Sequence, residues 1–182
     1  MKKHILGTNG YMSLKFDMSK AYDRVEWSFM ENLMRKMGFD EIWIGFIMVT
    51  GKMVTYSIII NGKPKRLIQL TRGIRQGDPL SSFLFLMCTK GLHGIINQAM
   101  IKGEITCFSI YNRGLKLTNL SFMDNSLLFC KATSKECGKV KRILSTYEEA
   151  SRQKIKKNKT IVFFSRSAKE DTREIIKGVL GV

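Results

Sequence analysis

Asp17 follows the alternating run Tyr11-Met-Ser-Leu-Lys-Phe16, and the pair Asp124-Asn125 stands between two apolar runs in Leu120-Ser-Phe-Met-Asp-Asn-Ser-Leu-Leu-Phe129. A carboxylate at a strand end and another at a hairpin tip, though far apart in the chain, can be carried to one edge of a sheet. Two carboxylates held close repel each other unless a cation sits between them. Hard Mg²⁺ accepts such oxygen ligands and keeps positions open for water and phosphate. Paired ions of this kind activate an attacking hydroxyl and stabilise a leaving oxygen in phosphoryl or nucleotidyl transfer. Spacing alone also admits a plainer account, because Asp at a strand end and Asp-Asn at a turn both have local reasons to occur.

The elements around these residues can be read from periodicity and punctuation. Tyr11 to Phe16 reads as a half-buried strand ending near Asp17. Asp23-Arg-Val-Glu26 has capping-box spacing, and Trp27, Met30, Leu33, Met34 and Met37 form a helical stripe that Gly38 can end, which predicts a helix near 24–37. Glu41 to Lys52 carries a mostly apolar helical face made of Ile42, Trp43, Phe46, Ile47 and Val49. Thr55 to Ile60, then Asn61-Gly62, then Arg66 to Leu70 is a hairpin pattern. In Arg72-Gly-Ile-Arg-Gln-Gly-Asp-Pro-Leu-Ser81, Asp78 can cap a helix and Pro79 can fill its first position. That helix is predicted to run to about Met100, with Leu80, Phe83, Leu84, Met87 and Leu92 on its buried face. Ile105 to Phe129 reads as short strands, the last two meeting at the Asp124-Asn125 turn. Ser134 is expected to cap a basic amphipathic helix through Ala150, followed by a strand (Thr160 to Phe164) and a helix (Lys169 to Leu180).

Strands and helices that do not alternate regularly imply an α+β fold with a mostly antiparallel sheet. The chain has 182 residues, 44% of them hydrophobic and spread along its length, with no repeats and no linker-like tract, so a single domain over 1–182 is expected. Lys plus Arg number 31 against 15 Asp plus Glu, a net +16, which points to a polyanionic partner, nucleic acid ahead of anionic membrane. No apolar run reaches the roughly 18 residues of a spanning helix, and the N-terminus lacks a signal-peptide core, so an intracellular, non-secreted protein of nucleus or cytoplasm is expected. Cys88, Cys107, Cys130 and Cys137 show no CxxC spacing and read as reduced thiols. His4 and His93 are isolated, and zinc finds no support.

Three segments in order carry a resemblance. Phe16-Asp-Met-Ser-Lys-Ala-Tyr-Asp-Arg-Val-Glu-Trp27 resembles the first palm motif of reverse transcriptases of non-LTR (LINE-type) retrotransposons, closest to plant-type elements. Arg72 to Ser81 is similar to the second motif, and Phe122-Met-Asp-Asn-Ser-Leu-Leu-Phe129 to the third, usually Phe-Ala-Asp-Asp. A fourth likeness runs from Tyr147 to Thr160. The resemblance implies a polymerase palm-like fold with packed helices and a palm core over about 11–165. It also implies RNA-directed DNA polymerisation, in which Asp17 and Asp124 bind two Mg²⁺ ions that join a DNA primer 3′-hydroxyl to a deoxynucleoside triphosphate on an RNA template.

By the same resemblance Tyr22 lies under the sugar and excludes a 2′-hydroxyl, although an aromatic packed at a strand–helix junction explains it equally well. Gln76 and Gly77 match the part that lines the nucleotide and template pocket, where a bare backbone allows close approach, against the alternative of a plain turn before a capped helix. Lys159 matches a lysine that meets the departing pyrophosphate, or is one more member of the Lys154 to Lys159 cluster. That cluster, with Lys135, Lys139, Lys141 and Arg142, reads as a backbone-tracking surface for a hybrid duplex or as a solvated basic face. Asp23 and Asp78 are explained by capping and are not counted as ligands.

The sequence also departs from the pattern. Asn125 stands at the second aspartate position and offers a neutral carbonyl oxygen, which predicts weaker metal binding. Met123 replaces a small alanine, Lys90 an acidic residue, Arg152 a glycine and Lys156 an asparagine. Fingers and thumb segments read as missing or incomplete and would come from a longer polyprotein. The expectation is therefore a palm fragment that is feeble or inactive by itself, with a non-catalytic basic nucleic-acid-binding remnant as the alternative.

Overall fold

The computed structural model describes residues 10–106, 108–109, 116–122 and 125–181. His4, Cys107, Met123 and Asp124, on which expectations rest, lie outside them. The elements in chain order are β1 (Tyr11–Ser19), α1 (Trp27–Lys36), α2 (Glu41–Lys52), β2 (Thr55–Ile60), β3 (Lys63–Gln69), α3 (Pro79–Ile101), β4 (Phe108–Ser109), β5 (Lys116–Leu117), β6 (Asn119–Phe122), β7 (Asn125–Lys131), α4 (Ser134–Ser151), β8 (Lys154–Ile155), β9 (Ile161–Phe164) and α5 (Glu170–Leu180). The chain divides into two compact units, one of residues 1–19, 92–148 and 155–182, the other of residues 20–91 and 149–154.

The first unit is built on a five-stranded sheet in which β6, β7, β1 and β8 follow one another and β9 also pairs with β1. The β1–β7, β1–β9 and β6–β7 ladders are all antiparallel, as the α+β reading expected. Alternation works as predicted along β1: Met12, Leu14, Phe16 and Met18 are buried, while Ser13, Lys15 and Asp17 point to the other face. Strand β7 answers with buried Ser126, Leu128 and Cys130. Helix α4 buries Cys137, Val140, Leu144 and Tyr147, a helical stripe, and α5 adds Ile176. The cap of α4 is Thr133 rather than Ser134, since the Thr133 hydroxyl accepts from the Glu136 amide at 3.2 Å. The Glu136 carboxylate takes three further donors: the Thr106 amide (3.1 Å) and hydroxyl (2.7 Å) and the Lys131 amide (3.0 Å). It thereby ties the approach to β4, the end of β7 and the start of α4 together.

The second unit packs Val25, Trp27, Met30 and Met34 with Ile44, Ile47, Met48, Ile74, Leu84 and Phe85 as its buried core. Helix α1 starts at Trp27, and Glu26 at its N-cap makes no side-chain capping bond, so the Asp23–Glu26 capping box does not form. Its other end follows expectation, with Gly38 at φ +82° and the Phe39 amide reaching back to the Met34 carbonyl. Asp78 caps α3 through the Leu80 amide at 2.8 Å, with Pro79 at the first position. Asn61 (φ +52°) and Gly62 (φ +73°) form the expected turn between β2 and β3, with both central residues left-handed. Strand β3 starts earlier than Arg66, because Lys63 and Pro64 pair with Ile60 and Ile59 and a bulge falls at Ile58/Ile59.

Two predicted faces need correction. On α2 only Ile47 of the expected set is buried; Ile42, Trp43, Phe46 and Val49 are exposed, while Ile44 and Met48 are inside. On α3 Leu80 and Phe83 are exposed, and Ser81, Phe85 and Cys88 join Leu84 and Leu92 inside. Both stretches are apolar nearly all round, so no stripe stands out and tertiary contacts choose the face. By length and composition α3 would also suit a membrane. Phe29 and Leu33 pack beside Gly91 of that helix. Cys88 and Cys137 are buried, and burial pushes their thiols up, to about 12 and about 11; Cys130 is raised by burial as well. All three are free, buried cysteines, in keeping with the reading of reduced core thiols.

Candidate active site

β1 is the strand that carries Asp17, and its neighbours on both sides determine what that carboxylate meets. On one side the register pairs Asp17 directly with Asn125, the first residue of β7. Phe122 of β6 also pairs with Asn125, so Asn125 is a strand residue and not half of the predicted Asp124-Asn125 turn. Directly opposed residues of an antiparallel pair lie on one face with their Cβ atoms about 5 Å apart. The amide of Asn125 is thus the cross-strand neighbour of the Asp17 carboxylate.

On the other side the chain pairs through β8 and β9, and the 3-10 turn Lys157–Lys159 interrupts it. Before the turn the Lys156 amide donates to the Asp17 carbonyl at 2.9 Å; after it Ile161 pairs with Lys15. The Thr160 hydroxyl closes the turn on the Lys156 carbonyl at 3.0 Å. This looped-out segment brings the Lys159 ammonium 4.0 Å from the Asp17 carboxylate. Lys159 keeps 60% of its side chain exposed and Asp17 only 15%, so the cation approaches a recessed anion from solvent. Glu148 of α4 holds the same run by accepting from the Ile155 amide at 2.7 Å. Asp17, Asn125 and Lys159 therefore come together within one unit, and Asp124 lies outside the described residues.

The donor set suits a hard divalent ion: Asp17 supplies a carboxylate, Asn125 a neutral amide oxygen, and Mg²⁺ commonly binds through one or two carboxylates while keeping several waters. Among the described residues no cluster of three or more His, Cys, Asp or Glu side chains forms a metal cage. The fit is for an ion anchored by Asp17, with Asn125 adding an oxygen but no charge.

Tyr22, Gln76 and Gly77 belong to the second unit. The Tyr22 ring stacks on Phe85 of α3, with centroids 4.8 Å apart and planes 22° apart, and its carbonyl accepts from the Ile74 amide at 2.9 Å. Packing at a strand–helix junction thus accounts for part of Tyr22, which stays half-buried. Gln76 and Gly77 are exposed ahead of α3, and Gly77 sits at φ +91° with open space where a Cβ would point. The left-handed backbone is what requires glycine at that point.

Two structural roles, those of Gly73 and Gln153, escaped the sequence reading. Gly73 (φ +91°) lies so close to Asp23 that a Cβ would stand 2.8 Å from its carbonyl oxygen. Its own carbonyl accepts from the Trp27 indole at 2.7 Å. Gln153 is fully buried and donates to the Ala21 carbonyl at 2.9 Å, fixing the backbone next to Tyr22. Beside it Arg152 holds φ +59°, which explains why a glycine suits that position and why arginine there costs about 1 kcal/mol. A glycine ahead of a turn and a glutamine after a helix carry no periodic signal, so only the fold reveals them.

Comparison with known proteins bears on the family and the fold. Residues 3–175 match the family described as reverse transcriptase (RNA-dependent DNA polymerase). An uncharacterized mitochondrial protein of Arabidopsis thaliana is 40% identical over 68 residues, 37% of this chain and 56% of that protein. The retrovirus-related Pol polyprotein from type-1 retrotransposable element R2 of Popillia japonica is 30% identical over 118 residues, 65% of this chain and 18% of the polyprotein. The chain thus spans just over half of one relative and under a fifth of the other. The fold resembles telomerase from Candida tropicalis in complex with a TWJ fragment of telomeric RNA, with a TM-score of 0.66 and 14% identity over 90% of this chain and 27% of that one. Telomerase from Candida albicans gives 0.59 at 16% identity, over 88% of this chain and 27% of that one. Reverse transcriptases generally use divalent metals and act on nucleic acid. With a family match along nearly its whole length, and with similarity to part of a type-1 retrotransposable element polyprotein, this chain belongs to the reverse transcriptase family.

Proposed function

We propose that this chain carries the catalytic edge of an RNA-directed DNA polymerase that extends a DNA primer on an RNA template with deoxynucleoside triphosphates, and that by itself it is weak. The observation that carries the reading is the β1–β7 register, which sets Asp17 opposite Asn125 while Lys159 faces the same carboxylate. Asp17, with Asp124, would hold two Mg²⁺ ions, which neutralise phosphate charge and ease deprotonation of a primer 3′-hydroxyl. Asp17 is held by ladders on both sides, so its carboxylate is placed before substrate arrives. Asn125 presents a neutral oxygen where a second charge would strengthen ion binding, and this makes the chain weak. Lys159, exposed and flexible, can meet the charge of a departing pyrophosphate. Tyr22 would bar a 2′-hydroxyl with its ring edge, and Gln76 and Gly77 would present backbone and amide to the nucleotide and template.

Primer extension on an RNA template in Mg²⁺ tests the reading. Feeble extension is expected from the native chain, at least a hundredfold less from Asp17→Asn, the order lost when one preorganised electrostatic group goes, and more than native from Asn125→Asp. Full activity of the native chain would sink the weakness claim. The ion pair of Lys159 with Asp17 favours a second reading, a non-catalytic basic binding remnant, because it partly satisfies the carboxylate without any metal. No extension from either the native chain or Asn125→Asp, with salt-sensitive RNA binding retained, would select it.

A further inference from the structure

The ribbon of β2 and β3 is exposed at every position of both strands. A lone two-stranded ribbon is marginal in water, and this one carries isoleucines, so it has the composition of a surface that is covered in use. The register sorts its side chains: Ile60 with Lys63, Ile58 with Arg66 and Tyr56 with Ile68 share one face. At the base of that face Tyr56 and Ile68 line a cleft of about 500 Å³ whose other walls include Arg75, Gln76 and Asp23.

Charge decides what fits. From Ile42 to Gly77 the chain has no Asp or Glu, but it has Lys52, Lys63, Lys65, Arg66, Arg72 and Arg75, all exposed. A second copy of the chain, itself at +16, would meet like charge. Apolar and aromatic side chains interleaved with cations match a strand of stacked bases on a phosphate backbone.

We propose that this face of the β2–β3 ribbon, continuous with the cleft at Arg75 and Gln76, docks single-stranded nucleic acid. Bases lie on Tyr56, Ile58 and Ile68, and phosphates meet Lys63, Arg66 and Arg75. Asp23 keeps phosphate away from the floor of the cleft. The proposal rests on the polymerase reading where the cleft reaches Gln76 and carries it outward along the ribbon; it is scored apart from that reading, because binding needs no metal, primer or nucleotide.

The test is fluorescence anisotropy of a labelled twelve-nucleotide RNA with the whole chain in EDTA. The double variant Lys63→Glu/Arg66→Glu is expected to bind at least about tenfold more weakly, with a salt slope smaller by about 2. Tyr56→Ala should lose about tenfold by itself at unchanged salt slope. Arg166→Glu/Lys169→Glu, an equal charge change in the other unit on two exposed residues outside the Lys135–Lys159 basic face, should lose no more than about twofold. Circular dichroism melts confirm that each variant is folded. An equal loss in the control pair would reduce the effect to net charge and overturn the proposal. So would sedimentation showing a dimer that Ile58→Ser/Ile68→Ser dissociates with RNA affinity unchanged, since the face would then be a protein contact. Asp17→Asn, which removes catalysis, is expected to bind RNA like the native chain, so loss of activity and loss of this surface are told apart.

Discussion

Strand β1 reads as a strand from alternation and β2 from its hairpin pattern, yet β1 alternates between buried and more exposed positions while β2 is exposed throughout. The difference lies in what surrounds them. β1 has β7 on one side, β8 and β9 on the other, and the stripe of α4 in the same core; β2 has β3 alone. A pattern of apolar residues therefore says that a strand forms, and only its neighbours say whether that surface is satisfied within the chain. The candidate catalytic aspartate rides on the constrained strand, as a preorganised site requires. The candidate RNA surface rides on the unconstrained one, where ligand can replace solvent.

This contrast can be broken or sharpened by substitution. Phe16→Ala, in the buried face of β1, should cost about 3–5 kcal/mol of unfolding free energy, read by urea denaturation followed by circular dichroism. A loss below about 1 kcal/mol would mean that the β1 face is no more constrained than the ribbon. Glu136→Ala strands three donors and should cost about 2–3 kcal/mol by the same measurement. Hydrogen exchange should show the loss at the β7 end first, and a uniform change along the chain would contradict that role. Ile59→Ala, on a residue 70% exposed, should change stability by no more than about 0.5 kcal/mol. A larger loss would show that the ribbon is already packed in the free chain.

Much of the fold was legible where the local chemistry was unambiguous. Asn61-Gly62 announced a hairpin because both positions need positive φ, Asp78-Pro79 announced a helix start, and β1 announced its buried face through strict alternation. The face of α2 was illegible because Ile42 to Val49 is apolar on all sides, and the capping box at Asp23 failed because α1 begins after it. At the site, Asp17 and Lys159 were legible as motif residues, but their approach was not. It depends on a three-residue turn that interrupts pairing far along the chain from Asp17.

What the sequence determined by itself is the family, the order of its motifs, the basic charge and the neutral residue at position 125, since all of these are properties of residue types and spacing. The tertiary structure alone decided that Asn125 is a strand residue opposite Asp17, that Gly73 and Gln153 brace the loops around Tyr22, and that the β2–β3 ribbon stays bare. The physical reason is the same in each case. Hydrogen-bond register and burial are relations between distant segments, and local propensity fixes an element without fixing its partner.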